Sequence, residues 1–129
     1  MARLILDSGA VLALAAGRPR ARQFVERALR EHTLLVIPAV VIAETTRGSA
    51  RDALVNRVVI AVQDIAPATE SVAREAGRLL AAANIGNATV DALIVAEAVL
   101  HGPALILTGD LADITALADN QPHVRISAV

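Results

Sequence analysis

RLILDSGAV, residues 3–11, opens on an apolar run and breaks it with a carboxylate. Leu4, Ile5 and Leu6 leave no polar side for water, so Arg3–Leu6 reads as a fully buried strand. Asp7, Ser8 and Gly9 then lead into Ser8–Ala16, a second stretch with a hydrophobic helical face. A carboxylate placed where a buried strand meets a helix serves either as a cap or as chemistry. The remaining sequence has to separate the two.

The same alternation continues along the chain. Further strands are expected at Leu34–Ile37, Val58–Ile65 and Ala104–Thr108, with a weak last one at Val124–Ile126. Helices are expected at Pro19–Glu31, with Pro at its first position, and at Pro38–Arg47, Ala50–Asn56, Thr69–Ala83 and Thr89–His101. Gly86, Gly102 and Pro103 punctuate the helical patterns. Near-continuous apolar strands alternating with helices predict a parallel sheet covered on both faces. The expectation is one three-layer α/β domain over residues 1–129, with four or five strands, and there is no repeat, linker or low-complexity segment.

Composition narrows the function. The 129 residues suffice for a real core, and no apolar stretch approaches the roughly 18 residues of a membrane span. No signal-peptide pattern is legible, and the absence of Cys removes disulfides and thiolate metal sites, so a cytoplasmic domain is expected. The net charge of −1 gives no overall basic field for nucleic acid. All 12 basic residues are Arg, and with a single Phe and no Tyr or Trp there is no aromatic platform for stacking bases.

Ligands of open parallel sheets bind at the carboxyl ends of the strands. Asp7 falls there, and so does Asp110 in LILTGDLADI, residues 105–114, with Asp113 three residues on. Two further acids interrupt apolar helices: Glu44 in PAVVIAETTRG, residues 38–48, and Asp91 in ATVDALIVAEAVL, residues 88–100. Singly, Asp7, Asp91 and Asp110 read equally well as helix caps. Glu44 lies too late in its helix to cap it, and its plain alternative is an exposed ion pair with Arg47 at i,i+3 spacing. Four such acids in one small domain are jointly harder to explain as caps. Carboxylates brought together repel one another unless a cation neutralises them. A hard divalent ion with oxygen ligands, Mg²⁺ or Mn²⁺ in its place, fits a chain without Cys, and the chemistry that follows is hydrolysis of a phosphodiester.

With these residues in view, the chain resembles the PIN-domain ribonucleases, especially the VapC-type toxins of bacterial toxin–antitoxin pairs. The resemblance spans nearly the whole chain and rests on ILDSGAVLAL, PAVVIAETTRG, VDALIVAEA and LTGDLADI in family order. It implies a Rossmann-like sheet, Mg²⁺- or Mn²⁺-dependent endoribonuclease activity, a homodimer, and inhibition by a small VapB-type antitoxin. Asp7, Glu44, Asp91 and Asp110 match the family's acidic positions, with Asp7, Asp91 and Asp110 as the expected metal ligands. Asp113 matches a more variable fifth position that more often acts behind the ligands, and Ser8 and Thr108 match small hydroxyl residues of the same pocket. The aromatic residue these proteins often carry after the last acids is here Ile114.

GRPRARQFVERALR, residues 17–30, concentrates Arg around the second helix. Arg18, Arg20 and Arg22, at its entry, are the candidates for an RNA backbone, whereas Arg27 and Arg30 read as a solvated face paired with Glu26 and Glu31. Phe24 reads as core. His32, His101 and His123 have no metal-ligand spacing and read as surface or helix-end residues. Two rival functions remain. A phosphoacceptor domain also ends its first strand on Asp, but such domains use a Lys that this chain lacks. A degenerate relative that binds RNA or a partner without catalysis is the other alternative, and the presence of all four acids argues against it.

Overall fold

The structure, a computed structural model, describes residues 2–62 and 64–129. In chain order the elements are β1 (Arg3–Leu6), α1 (Ser8–Ala15), α2 (Pro19–Arg30), β2 (Leu34–Pro38) and α3 (Ala39–Thr45). A 3₁₀ turn (Ala50–Asp52) leads into α4 (Ala53–Ala61), followed by β3 (Asp64–Ala66), α5 (Glu70–Ala83) and α6 (Thr89–His101). β4 (Ala104–Thr108), α7 (Leu111–Leu117) and β5 (Val124–Ala128) complete the chain. The five strands form one parallel sheet in the order β3-β2-β1-β4-β5, flanked by seven α-helices among the described residues. The chain steps outward from β1 to β3, then returns to the other side of β1 for β4 and β5. The order therefore reverses between β1 and β4, where ligands of such sheets bind.

Both faces of the central strands are covered, which is why they carry no polar alternation. Leu4, Ile5, Leu6, Val36, Ile37, Ile106 and Leu107 are all buried, each aliphatic contributing about 1.5–3 kcal/mol of transfer free energy. α6 packs across β1, β2, β4 and β5 and is apolar nearly all round, as a helix enclosed between a sheet and α5 must be. Its one deeply buried charge, Glu97, meets the ring Nδ1 of His101 at 2.9 Å and Arg3 Nη1 at 3.8 Å, while Arg3 also reaches Asp64 at 3.6 Å.

The strand expected over Val58–Ile65 is in fact the second half of α4 followed by the short β3, and residue 63 within that span lies outside the described residues. The run is rich in β-branched residues, which favours a strand locally. However, Val55, Val58, Val59 and Val62 recur at i, i+3, i+4 and i+7, and as a helix they turn one face onto the core. Ile60, on the opposite side, is left 84% exposed. Burial of that face outweighs local propensity. The helix expected at Ala50–Asn56 begins instead as the 3₁₀ turn, and the helix expected over Pro38–Arg47 stops at Thr45. There the Thr45 and Thr46 hydroxyls donate back to the Val41 and Ile42 carbonyls at 2.9 and 2.7 Å, competing with further helical bonds.

Candidate functional site

Two close turns build the centre of the carboxyl edge. Gly9 is the second residue of α1 and Gly109 follows β4, and their backbones touch: a Cβ added to Gly9 would lie 2.7 Å from the Gly109 Cα. Only a glycine pair allows this approach. It brings Gly109 N–H onto the Asp7 carboxylate, at 3.1 and 3.3 Å from its two oxygens. Ala10 N–H donates to the same group at 2.9 Å, and the Thr108 hydroxyl donates to Asp7 Oδ2. Asp7 is thus the N-cap of α1 and is 4% exposed. Burial pushes its carboxyl above the ordinary range, opposed by the hydrogen bonds from Thr108, Ala10, Gly109 and Gly9. Thr108 also accepts from Asp110 N–H at 2.8 Å, so one hydroxyl ties together the two strand-end acids.

The other acids face one another. One carboxylate oxygen from each of Asp91, Asp110 and Asp113 lies within 4.8 Å of the other two. Asp110 caps α7, accepting weakly from Asp113 N–H at 3.4 Å, and this places both acids on the first turn of that helix. Asp91 arrives from the first turn of α6, where the helix dipole favours a negative charge. Its pKa is nevertheless pushed up to about 6, first by burial and then by the charges of Asp110, Asp7, Asp113 and Glu44. Burial and crowding together outweigh the dipole. Asp110, Asp7, Asp113 and Glu44 thus all bear on Asp91.

Glu44 lies exposed near the end of α3, and Ser8 Oγ donates to its Oε1. The ion pair with Arg47, the plain alternative for Glu44, does not form. Arg47 Nη1 turns instead to the carbonyls of Ala43, Glu44 and Thr46, at 3.3, 3.3 and 2.7 Å. Of the Arg candidates, Arg18 and Arg22 are exposed. Arg20 is engaged: its Nε donates to Ala128 O at 2.9 Å, it reaches Ser127 Oγ at 3.5 Å, and its guanidinium lies 5.3 Å from the Phe24 ring centre. Phe24 is accordingly half-buried against the core rather than inside it. His101 pairs with Glu97, and His32 and His123 are exposed.

The PIN domain family model matches residues 4–118. The chain belongs to the PIN-domain family. PIN domains are generally nucleases. No curated protein matches the chain by sequence. Similar solved structures include VapBC2 from Rickettsia felis bound to a promoter DNA fragment, with a TM-score of 0.74, 14% identity, and coverage of 100% of this chain and 99% of that one. A toxin–antitoxin complex from Klebsiella pneumoniae gives a TM-score of 0.68 at 22% identity over 94% of each chain. DNA-bound VapBC from Salmonella typhimurium gives 0.69 at 17% identity, over 99% of this chain and 98% of that one. At such identities the likeness bears on the fold alone.

The donor set of this PIN domain suits a hard divalent cation. Every candidate ligand is a carboxylate oxygen, and the proton affinity of Asp91, raised first by burial and then by its acidic neighbours, is what a bound cation would offset. The resemblance put Asp113 behind the direct ligands; its carboxylate lies in one group with those of Asp91 and Asp110, while Asp7 has both oxygens already hydrogen-bonded. The i,i+3 spacing of Asp110 and Asp113 carried the signal. The Ser8–Glu44 bond, across 36 positions of sequence, had none.

Proposed function

We propose that this chain is a Mg²⁺- or Mn²⁺-dependent endoribonuclease, acting in the cytoplasm as the VapC-type toxin of a toxin–antitoxin pair. The observation that carries the reading is the convergence of Asp91, Asp110 and Asp113 within 4.8 Å, with Asp7 and Glu44 close enough to raise the Asp91 pKa. Asp91, Asp110 and Asp113 would hold the ion, with Asp7 beside them as a further ligand. When bound, such an ion lowers the pKa of a water and offsets charge on the phosphate. Glu44, steadied by the Ser8 hydroxyl, orients the attacking water and accepts its proton. Thr108 holds Asp7 in place, and Arg18 and Arg22 attract the RNA backbone. Arg20 is already committed to the end of β5 and contributes less.

The partner reading draws on the similar complexes, which are described as VapBC and toxin–antitoxin assemblies. An apolar groove of about 270 Å³ opens between α1, α2 and α4, lined by Leu14, Val25, Leu29, Val58 and Val62. A VapB-type antitoxin segment with apolar anchors would seat there, on a homodimer of this chain. Among the described residues no helix is long and apolar enough to cross a membrane.

The deciding experiment maps new 5′ ends in total bacterial RNA incubated with the protein and Mn²⁺, beside Asp91→Asn and metal-free samples. Discrete cuts lost in both controls are expected. Absence of cuts despite Mn²⁺ binding would instead favour a binding domain without catalysis.

A further inference from the structure

We propose that Asp52 is a positioning residue for Glu44, anchoring the segment after α3 so that the Glu44 carboxylate is held toward the acid cluster. The inference rests on the nuclease reading above and deepens it. Glu44 is exposed and one residue from the end of a seven-residue helix, where backbone ordinarily frays. Its only side-chain hydrogen bond is to Ser8 among the described residues. What keeps the helix end in place lies a few residues on. Asp52, 7% exposed, accepts from Arg47 N–H at 3.0 Å on each oxygen, from Gly48 N–H at 2.8 Å and from Ser49 N–H at 3.3 Å.

Three successive N–H groups converging on one carboxylate form an anion-binding concavity, here filled by the protein's own side chain. Gly48, at φ +75°, supplies the left-handed residue that turns the amides inward. Burial alone would raise the Asp52 pKa, yet the N–H groups of Arg47, Gly48 and Ser49 hold its carboxyl below the ordinary range. Asp52 also leads directly into α4, which packs on α1. α1 begins with Ser8, the donor to Glu44. Glu44 is thereby fixed from two sides, through the Asp52-anchored segment and through Ser8, and the two supports meet in the α1–α4 contact.

The test is a double-mutant cycle on Mn²⁺-dependent RNA cleavage using Asp52→Ala, Glu44→Gln and the double variant, with Asp52→Asn as a milder change that keeps one accepting oxygen. A residue acting through Glu44 gives strongly non-additive effects. Asp52→Ala is expected to lower kcat about tenfold with KM within about twofold and the Mn²⁺-induced thermal shift unchanged. In the Glu44→Gln background it should cost less than about twofold more. Equal losses in both backgrounds overturn the proposal. A second arm needs no cleavage: amide hydrogen exchange over residues 43–49 should quicken at least about tenfold in Asp52→Ala and less in Asp52→Asn, with α5 and α6 unchanged. Unaltered exchange over 43–49 overturns the proposal whether or not RNA is cut. A wild-type protein that cuts no RNA removes the nuclease reading, and the exchange arm then decides alone whether Asp52 holds the Glu44 segment.

Discussion

The two ends of α6 carry acids in opposite situations. Glu97, toward the amino edge of the sheet, is almost fully buried but meets His101 at 2.9 Å and Arg3 at 3.8 Å. Asp91, in the first turn at the carboxyl edge, is less buried and accepts no hydrogen bond among the described residues, while four other acids bear on it. One helix thus holds a charge the fold has compensated and a charge it has left among like charges. Burial alone does not separate the two acids. The sign of their neighbours does.

Substitution at the two ends should therefore separate stability from activity. Asp91→Asn is expected to lower Mn²⁺-dependent cleavage at least about 100-fold and to shrink the Mn²⁺-induced thermal shift, because binding to the folded state alone is what that shift measures. The metal-free variant should be no less stable than wild type, since it loses a repelled charge. Glu97→Gln is expected to do the reverse. It leaves Arg3 and His101 without their shared buried partner, at a cost of about 2 kcal/mol in denaturant unfolding, with kcat of the remaining folded protein unchanged. An Asp91→Asn protein that cuts RNA normally would refute the contrast.

Legibility in the sequence follows the same division. β1, β2 and β4 could be read because strands covered on both faces are continuously apolar, and Asp7 and Asp110 because they end such strands. α4 misled because Val58, Val59 and Ile60 suit either state locally, and only the side that packs on the core decides. The meeting of Asp91 with Asp110 and Asp113 depends on how α6 and α7 pack, which no local pattern encodes. Asp52 carried one cue, the Ser49-to-Asp52 spacing of a capping box, but its hold on the Arg47 and Gly48 N–H groups is invisible in a sequence.

The glycine contact sharpens the comparison by moving the site without touching an acid. Gly9→Ala would place a Cβ 2.7 Å from Gly109 Cα and 2.9 Å from Gly109 N, a collision with backbone that no rotamer relieves. Separating the two turns costs about 2 kcal/mol and draws Gly109 N–H away from Asp7. Gly109→Ala, whose Cβ would meet Gly9 Cα at 3.1 Å, should cost less. Urea unfolding of the metal-free proteins would rank the pair. Equal stability for Gly9→Ala and wild type would mean the turns are free to move apart.

The smallest effect is in the pH dependence of stability. Folding raises the Asp91 pKa from 3.8 to about 6, and that of Asp7 in the same direction. Between those values the folded state holds more protons than the unfolded state, so metal-free stability should fall as pH rises from 4 through 6 and then level off. For Asp91 the loss amounts to about 1 kcal/mol once solvent screening is allowed for. Asp91→Asn should flatten this limb. Mn²⁺ should invert it, because a cation favours the ionised carboxylates and binds more tightly as they lose their protons. Metal-free thermal melts from pH 4 to 8 that rise with pH in wild type would show that the acids at this end of α6 are as well compensated as Glu97.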